Sequence, residues 1–125
     1  LDSTNDQLIE IDPLTGAGTI IGDLGFDLGN CGLSYDCSSN RLIGANASTS
    51  EIFTVDPFTG VGTGMISTSV PFASVGLEFD QSRGVMIAAT GSDLYEVDPI
   101  TGATTNIGSL SASLVDDLAF HPTCP

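Results

Sequence analysis

Lysine and tryptophan are both missing from this chain. The basic side chains are Arg41, Arg83 and the lone His121, against 16 acidic residues, for a net charge of −14 at pH 7. Such a surface repels phosphate, so it argues against nucleic-acid binding. Anionic membrane surfaces are disfavoured for the same reason. No apolar run reaches the roughly 18–20 residues that a membrane-spanning helix needs, so no membrane insertion is expected. The opening "LDSTNDQ" has no Met, no basic segment and no apolar leader. It reads as a mature form whose leader was removed, or as a piece of something longer. The scarcity of His, Lys, Arg and Tyr leaves little for catalysis, and there is no G-x-S-x-G motif. No CxxC spacing is present, so zinc is not expected. A chain this acidic suits a soluble surface, with an extracellular or high-salt setting, or cation binding, as sharper readings.

What is present points to β-structure. The 125 residues are 41% hydrophobic and only 14% charged, with 15 glycines and six prolines. Thr and Ser are abundant, and no long Ala/Glu/Lys/Leu-rich run favours a helix. A single all-β domain with many turns is expected over 1–125.

The phrase D-P-x-T-G occurs at Asp12, Asp56 and Asp98, at intervals of 44 and 42 residues. Each copy follows an alternating run ("QLIEID", "EIFTVD", "LYEVD") and precedes a second one ("GTIIG", "GTGMI", "TTNIG"). Alternation at period two marks half-buried strands. Pro sets φ, Asp accepts local N–H bonds and Gly supplies positive φ, so the phrase is a hairpin turn. A second element recurs between the hairpins: "GLSYD" at 32–36, "GLEFD" at 76–80 and "DLAFH" at 117–121. After the first two come a polar turn and an apolar strand, "RLIGANA" or "GVMIAAT".

The unit is therefore four strands, a to d. A repeat of 40–45 residues with four strands is the size of a β-propeller blade. Leu1 aligns with Ile87, so the chain starts inside a strand b and ends on a lone strand a. The expectation is three antiparallel four-stranded blades, over 1–31 with 117–125, 32–75 and 76–116. The C-terminal strand would complete the N-terminal blade and cover a sheet edge.

The segment "GLEFD…LYEVDPITGATTNIG" resembles the secreted bacterial and archaeal propeller repeats of the form GLAFDP…LYxIDPxTGxxTxIG, as in DUF4394-like and quinoprotein-type propellers. The resemblance covers nearly the whole chain. It implies a propeller fold and, for most such proteins, a binding, scaffold or cell-surface role. Closed propellers usually have at least four blades. Three units leave three routes: a six-bladed ring from two chains, part of a longer propeller, or an open head-to-tail filament.

Cys31 and Cys37 flank an extended strand and so lie roughly 20 Å apart, beyond the approximately 7 Å a disulfide allows. Cys37 and Cys124 both follow a strand a at the same end of neighbouring blades and are the expected pair. Cys31 is then buried or bonded between chains. His121 takes the place of Asp36 and Asp80 and reads as a strand-end turn former. "NAS" makes Asn46 a candidate glycosylation site. Asp23, Asp27, Asn30, Asp116 and Asp117 cluster in the d–a connections and could supply hard oxygen ligands for calcium. No other cofactor is expected.

The expected function is an extracellular, non-enzymatic structural or binding module that self-associates through its sheet edges as a homodimer or polymer. The alternative is a lectin-like propeller with a glycan or small ligand at the channel mouth, where Phe26 and Phe72 would stack on it.

Overall fold

The computed structural model describes residues 1–112, 115 and 117–119. The protein is all-β: ten strands form three antiparallel sheets, and no helix occurs among the described residues. β1 (Gln7–Ile11) and β2 (Gly18–Asp23) form a two-stranded first sheet. β3 (Cys31–Asp36), β4 (Arg41–Asn46), β5 (Glu51–Val55) and β6 (Gly62–Ser67) form a four-stranded second sheet. β7 (Gly76–Asp80), β8 (Val85–Thr90), β9 (Asp93–Val97) and β10 (Thr104–Ser109) form the third, also four-stranded. Within each four-stranded sheet every strand pairs with its sequence neighbour. Short polar turns permit this simple order.

The first sheet differs from the expectation of four strands. Residues 1–6, expected as a strand b, form turns with one isolated bridge between Asp2 and Gln7. The cause is local. The Asp2 carboxylate accepts from the Thr4 N–H and the Asn5 amide, each at 2.8 Å, and Asp6 sits at φ 56°. Side chains that bond their own backbone compete with a ladder. At the other end, residues 117–119 belong to no strand, and the rest of the expected closing strand lies outside the described residues.

The second sheet is covered on both faces. Leu8, Leu24 and Leu28 from the first sheet and its exit loop meet Phe53 and Val55 on one face. Ile43, Ala45 and Ile52 on the other face meet Leu77, Phe79, Met86, Ala88 and Val97 of the third sheet. Alternation along a strand sends Ile52 and Phe53 to opposite cores. Double burial also explains the near-continuous apolar run in β4.

β3 and β7 lie side by side without a ladder. Ser34 Oγ accepts from the Phe79 N–H at 2.7 Å, and the Cys37 N–H donates to Gln81 Oε1 at 2.9 Å. A Cβ on Gly32 would stand 2.7 Å from the Leu77 Cβ. The main chain of Asp117 lies against Gly76 in the same way. The segment at Asp117 thus approaches β7 as β7 approaches β3.

Candidate functional site

The three D-P-x-T-G turns share one hydrogen-bond scheme. In each, the aspartate carboxylate accepts the N–H of the residue two ahead (Leu14, Phe58, Ile100) at 2.8 Å. Its backbone C=O accepts from the glycine N–H at 2.8–2.9 Å. The threonine Oγ1 accepts the N–H two residues further on, at 3.3–3.4 Å. The Thr15 hydroxyl, then the Leu14 N–H, hold the Asp12 carboxyl below its ordinary value. The Ile100 N–H and the Thr101 hydroxyl do the same for Asp98.

Two of these turns dock on the preceding sheet. Gly60 is buried against Gly22: a Cβ on Gly60 would stand 2.5 Å from the Gly22 carbonyl oxygen. Beside it the Gly62 N–H donates to the Leu24 C=O at 2.9 Å. Gly102 is buried against Ser67, and the Ser69 N–H donates to the Gly102 C=O at 3.2 Å. The first turn has no such seat. Gly16 is exposed, with nothing among the described residues within 4 Å of where its Cβ would be.

The x positions form a second repeated feature. Leu14, Phe58 and Ile100 are 93%, 86% and 80% exposed, so docking of a turn does not cover its apolar tip. The signal was in the sequence, since x is a large apolar residue in all three copies. Periodicity alone assigns a hairpin tip no partner.

A third repeated site sits at the turns after β3 and β7. Asp36 and Asp80 are buried. Asp36 accepts from the Ser38, Ser39 and Arg41 side chains and Asp80 from those of Ser82 and Arg83, and each also accepts two backbone N–H groups. Burial alone would raise the Asp36 carboxyl, but the Ser39 and Ser38 hydroxyls and N–H groups outweigh it and bring it to about 2. The Ser82 hydroxyl and Arg83 bring Asp80 to about 2. Both arginines of the chain are engaged here. Arg41 pairs with Asp36 at 3.4 Å, and Arg83 with Asp80 at 2.6 Å and Glu96 at 2.7 Å.

These depressed values have a definite sign. A carboxyl held below its ordinary 3.8 stabilises the fold above that pH, and the contribution is lost as pH falls through the folded value. Stability is therefore expected to fall between about pH 4 and about pH 2. Glu78 opposes this: burial raises its carboxyl, so it favours the fold when protonated. A double variant Asp36→Asn, Asp80→Asn should be less stable at pH 7 and show a flatter acid slope. Urea melts from pH 7 to pH 2 check both, and an unchanged slope would contradict the assignment.

The residues expected at ligand sites are placed otherwise. Phe72 is buried between the second and third sheets. Phe26 is half-buried and makes a T-shaped contact with Phe53, at 4.9 Å between centroids and 82° between planes. Phe72 is a core residue and Phe26 packs against the core from its margin, because d–a connections cross the gap between stacked sheets. Asn46 is 2% exposed. Its Oδ1 accepts from the Gly29 and Ser48 N–H groups at 3.1 and 3.0 Å, and its amide donates to the Asp27 C=O at 2.9 Å. The fold uses Asn46, the candidate glycosylation site, as a polar bolt for the 27–30 loop.

Of the candidate calcium ligands, Asp23 accepts from Gln7 at 2.8 Å, and Asp27, Asn30 and Asp117 are exposed. No group of three His, Cys, Asp or Glu side chains converges among the described residues. Asp116, His121 and Cys124 lie outside the described residues, and with them the Cys37–Cys124 pairing. Cys31 is a half-buried free cysteine whose thiol is raised by burial.

No family model matches this chain, and no curated protein does. Among solved structures it is similar to a structural genomics protein of unknown function from Bacteroides thetaiotaomicron, with a TM-score of 0.65 at 19% identity. The match covers 93% of this chain and 34% of that one. This chain therefore spans about a third of the length of that neighbour, and the likeness concerns the fold alone.

Proposed function

We propose that this chain is a run of β-propeller blades of the secreted bacterial and archaeal repeat type, acting outside the cell as a non-enzymatic structural or binding module. Its working form is larger than one chain. Further copies add at its two ends, closing a ring or extending head to tail. The observation that carries the reading is the repeated seating of one unit's turn on the previous unit's outer strand, made at Gly60 and Gly102 and left unmade at Gly16. The approach of β3 to β7, repeated by Gly76 and Asp117, supports a common rotation from unit to unit. The match covers only 34% of the structural neighbour, which fits such units being parts of larger rings.

Light scattering on the unreduced chain across a range of concentration and salt tests this. A species near twice the 12.8 kDa chain mass supports a two-chain ring, and a ladder of larger species supports a filament. A monomer at every concentration overturns the reading.

A further inference from the structure

We infer that the two ends of the chain are the two halves of one interface. The first sheet of one copy seats on the third sheet of a second copy, as each sheet already seats on its predecessor. The inference rests on the self-association proposed above and assigns the surfaces that carry it.

The argument runs through equivalent positions. Ile9 and Ile11 of β1 match Phe53 and Val55 of β5, and Tyr95 and Val97 of β9. Val55 and Val97 are 1% and 0% exposed, because a sheet precedes theirs. Ile11 is 65% exposed. The difference is one of neighbours and not of chemistry, since all three are β-branched apolar residues on the same face.

The third sheet holds the complementary surface. Ile87 and Leu94 match Ile43 and Ile52, which are buried beneath the third sheet. Ile87 and Leu94 are only half-buried. With Glu78, Leu118 and Ala119 they line a mostly apolar cavity of about 110 Å³.

The turn contact matches as well. Counting from the aspartate of each repeat, Gly16 and Gly18 correspond to Gly60 and Gly62. Gly108 and Leu110 correspond to Gly22 and Leu24. The contact between the first and second sheets is glycine on glycine, Gly60 on Gly22, with the Gly62 N–H donating to the Leu24 C=O. The ends carry the same pair, Gly16 and Gly108. Nothing among the described residues lies within 4 Å of where either Cβ would stand. Gly16 of one copy therefore seats on Gly108 of the next. The Gly18 N–H donates to the Leu110 C=O, and Ile9 and Ile11 cover Ile87 and Leu94. A second copy is the occupant because the positions equivalent to Gly16, Ile11, Ile87 and Leu94 already make this kind of contact within the chain.

Two variants and their mixture test this on the full chain. Ile11→Asp spoils the first-sheet surface and Gly108→Leu the third-sheet surface. Both positions are exposed; because Gly108 sits at φ 158°, circular dichroism and melting are to establish first that each variant folds. Alone, each is expected to weaken association about tenfold or more. Mixed, they should form a one-to-one heterodimer, because each retains the half the other lacks. Variants that associate like the parent overturn this contact and leave self-association standing. Failure of two folded monomeric variants to pair overturns the head-to-tail geometry. A parent chain that is monomeric throughout overturns both this inference and the reading beneath it.

Discussion

Replacing Phe53 by alanine should destabilise the fold by about 3–5 kcal/mol, the usual range for truncating a buried phenylalanine. That is a large share of the roughly 5–15 kcal/mol that holds a typical domain folded. Phe53 is 2% exposed. It makes a T-shaped contact with Phe26 and packs with Leu8, Leu24, Leu28 and Val55. Its ring also fills the space over Gly44, where a Cβ would press into it. Few of these neighbours can close the void, because Gly44 has no side chain and Leu24 is held by hydrogen bonds to Asp6 and Gly62. The first sheet has only two strands, so losing this core should loosen its attachment first. Urea melts of Phe53→Ala and Phe58→Ala make the comparison. Phe58 stands in solvent, and its truncation should change stability by no more than about 0.5 kcal/mol. A loss below about 1 kcal/mol for Phe53→Ala would mean that the first sheet does not pack on the second as described.

The second large effect is expected from Gly32→Val. The neighbours of a Cβ at position 32 would be the Leu77 Cβ at 2.7 Å, the Val75 carbonyl oxygen at 3.0 Å and the Leu77 N at 3.1 Å. None of these is the far end of a flexible side chain, so no rotamer change relieves the clash. β3 and β7 would have to separate. That would stretch the Ser34–Phe79 and Cys37–Gln81 hydrogen bonds. Overpacking of this kind usually costs about 1–3 kcal/mol, and the upper end is expected where backbone opposes backbone. The variant should melt lower and bind a hydrophobic dye more strongly. A melt within a degree of the parent would show that the inner strands are farther apart than described.

Much of this molecule can be read from its residues in order. The hairpins at Asp12, Asp56 and Asp98 are legible because their chemistry is local. An aspartate, a proline, a threonine and a glycine within five positions satisfy one another's hydrogen bonds. The four-strand unit is legible over β3–β6 and β7–β10 for a similar reason: period-two alternation reports which faces are buried. The same reasoning failed at residues 1–6. The alignment of Leu1 with Ile87 carried a strand into a segment whose polar side chains bond their own backbone. The inward placement of Asn46, Phe26 and Phe72 was not legible either. A short polar motif and aromatic residues in connections look like surface features until the sheets stack and the connections become interior.

The turns and the strand periodicity could be read without a structure, because each depends on residues within a few positions of one another, and the repeat length followed from the spacing of the turns. Only the tertiary structure decided which copies of a repeated position are buried. Gly60 and Gly16, or Val55 and Ile11, occupy the same place in the same local structure. One of each pair is covered and the other is open. Burial in stacked sheets belongs to the neighbouring unit as much as to the residue.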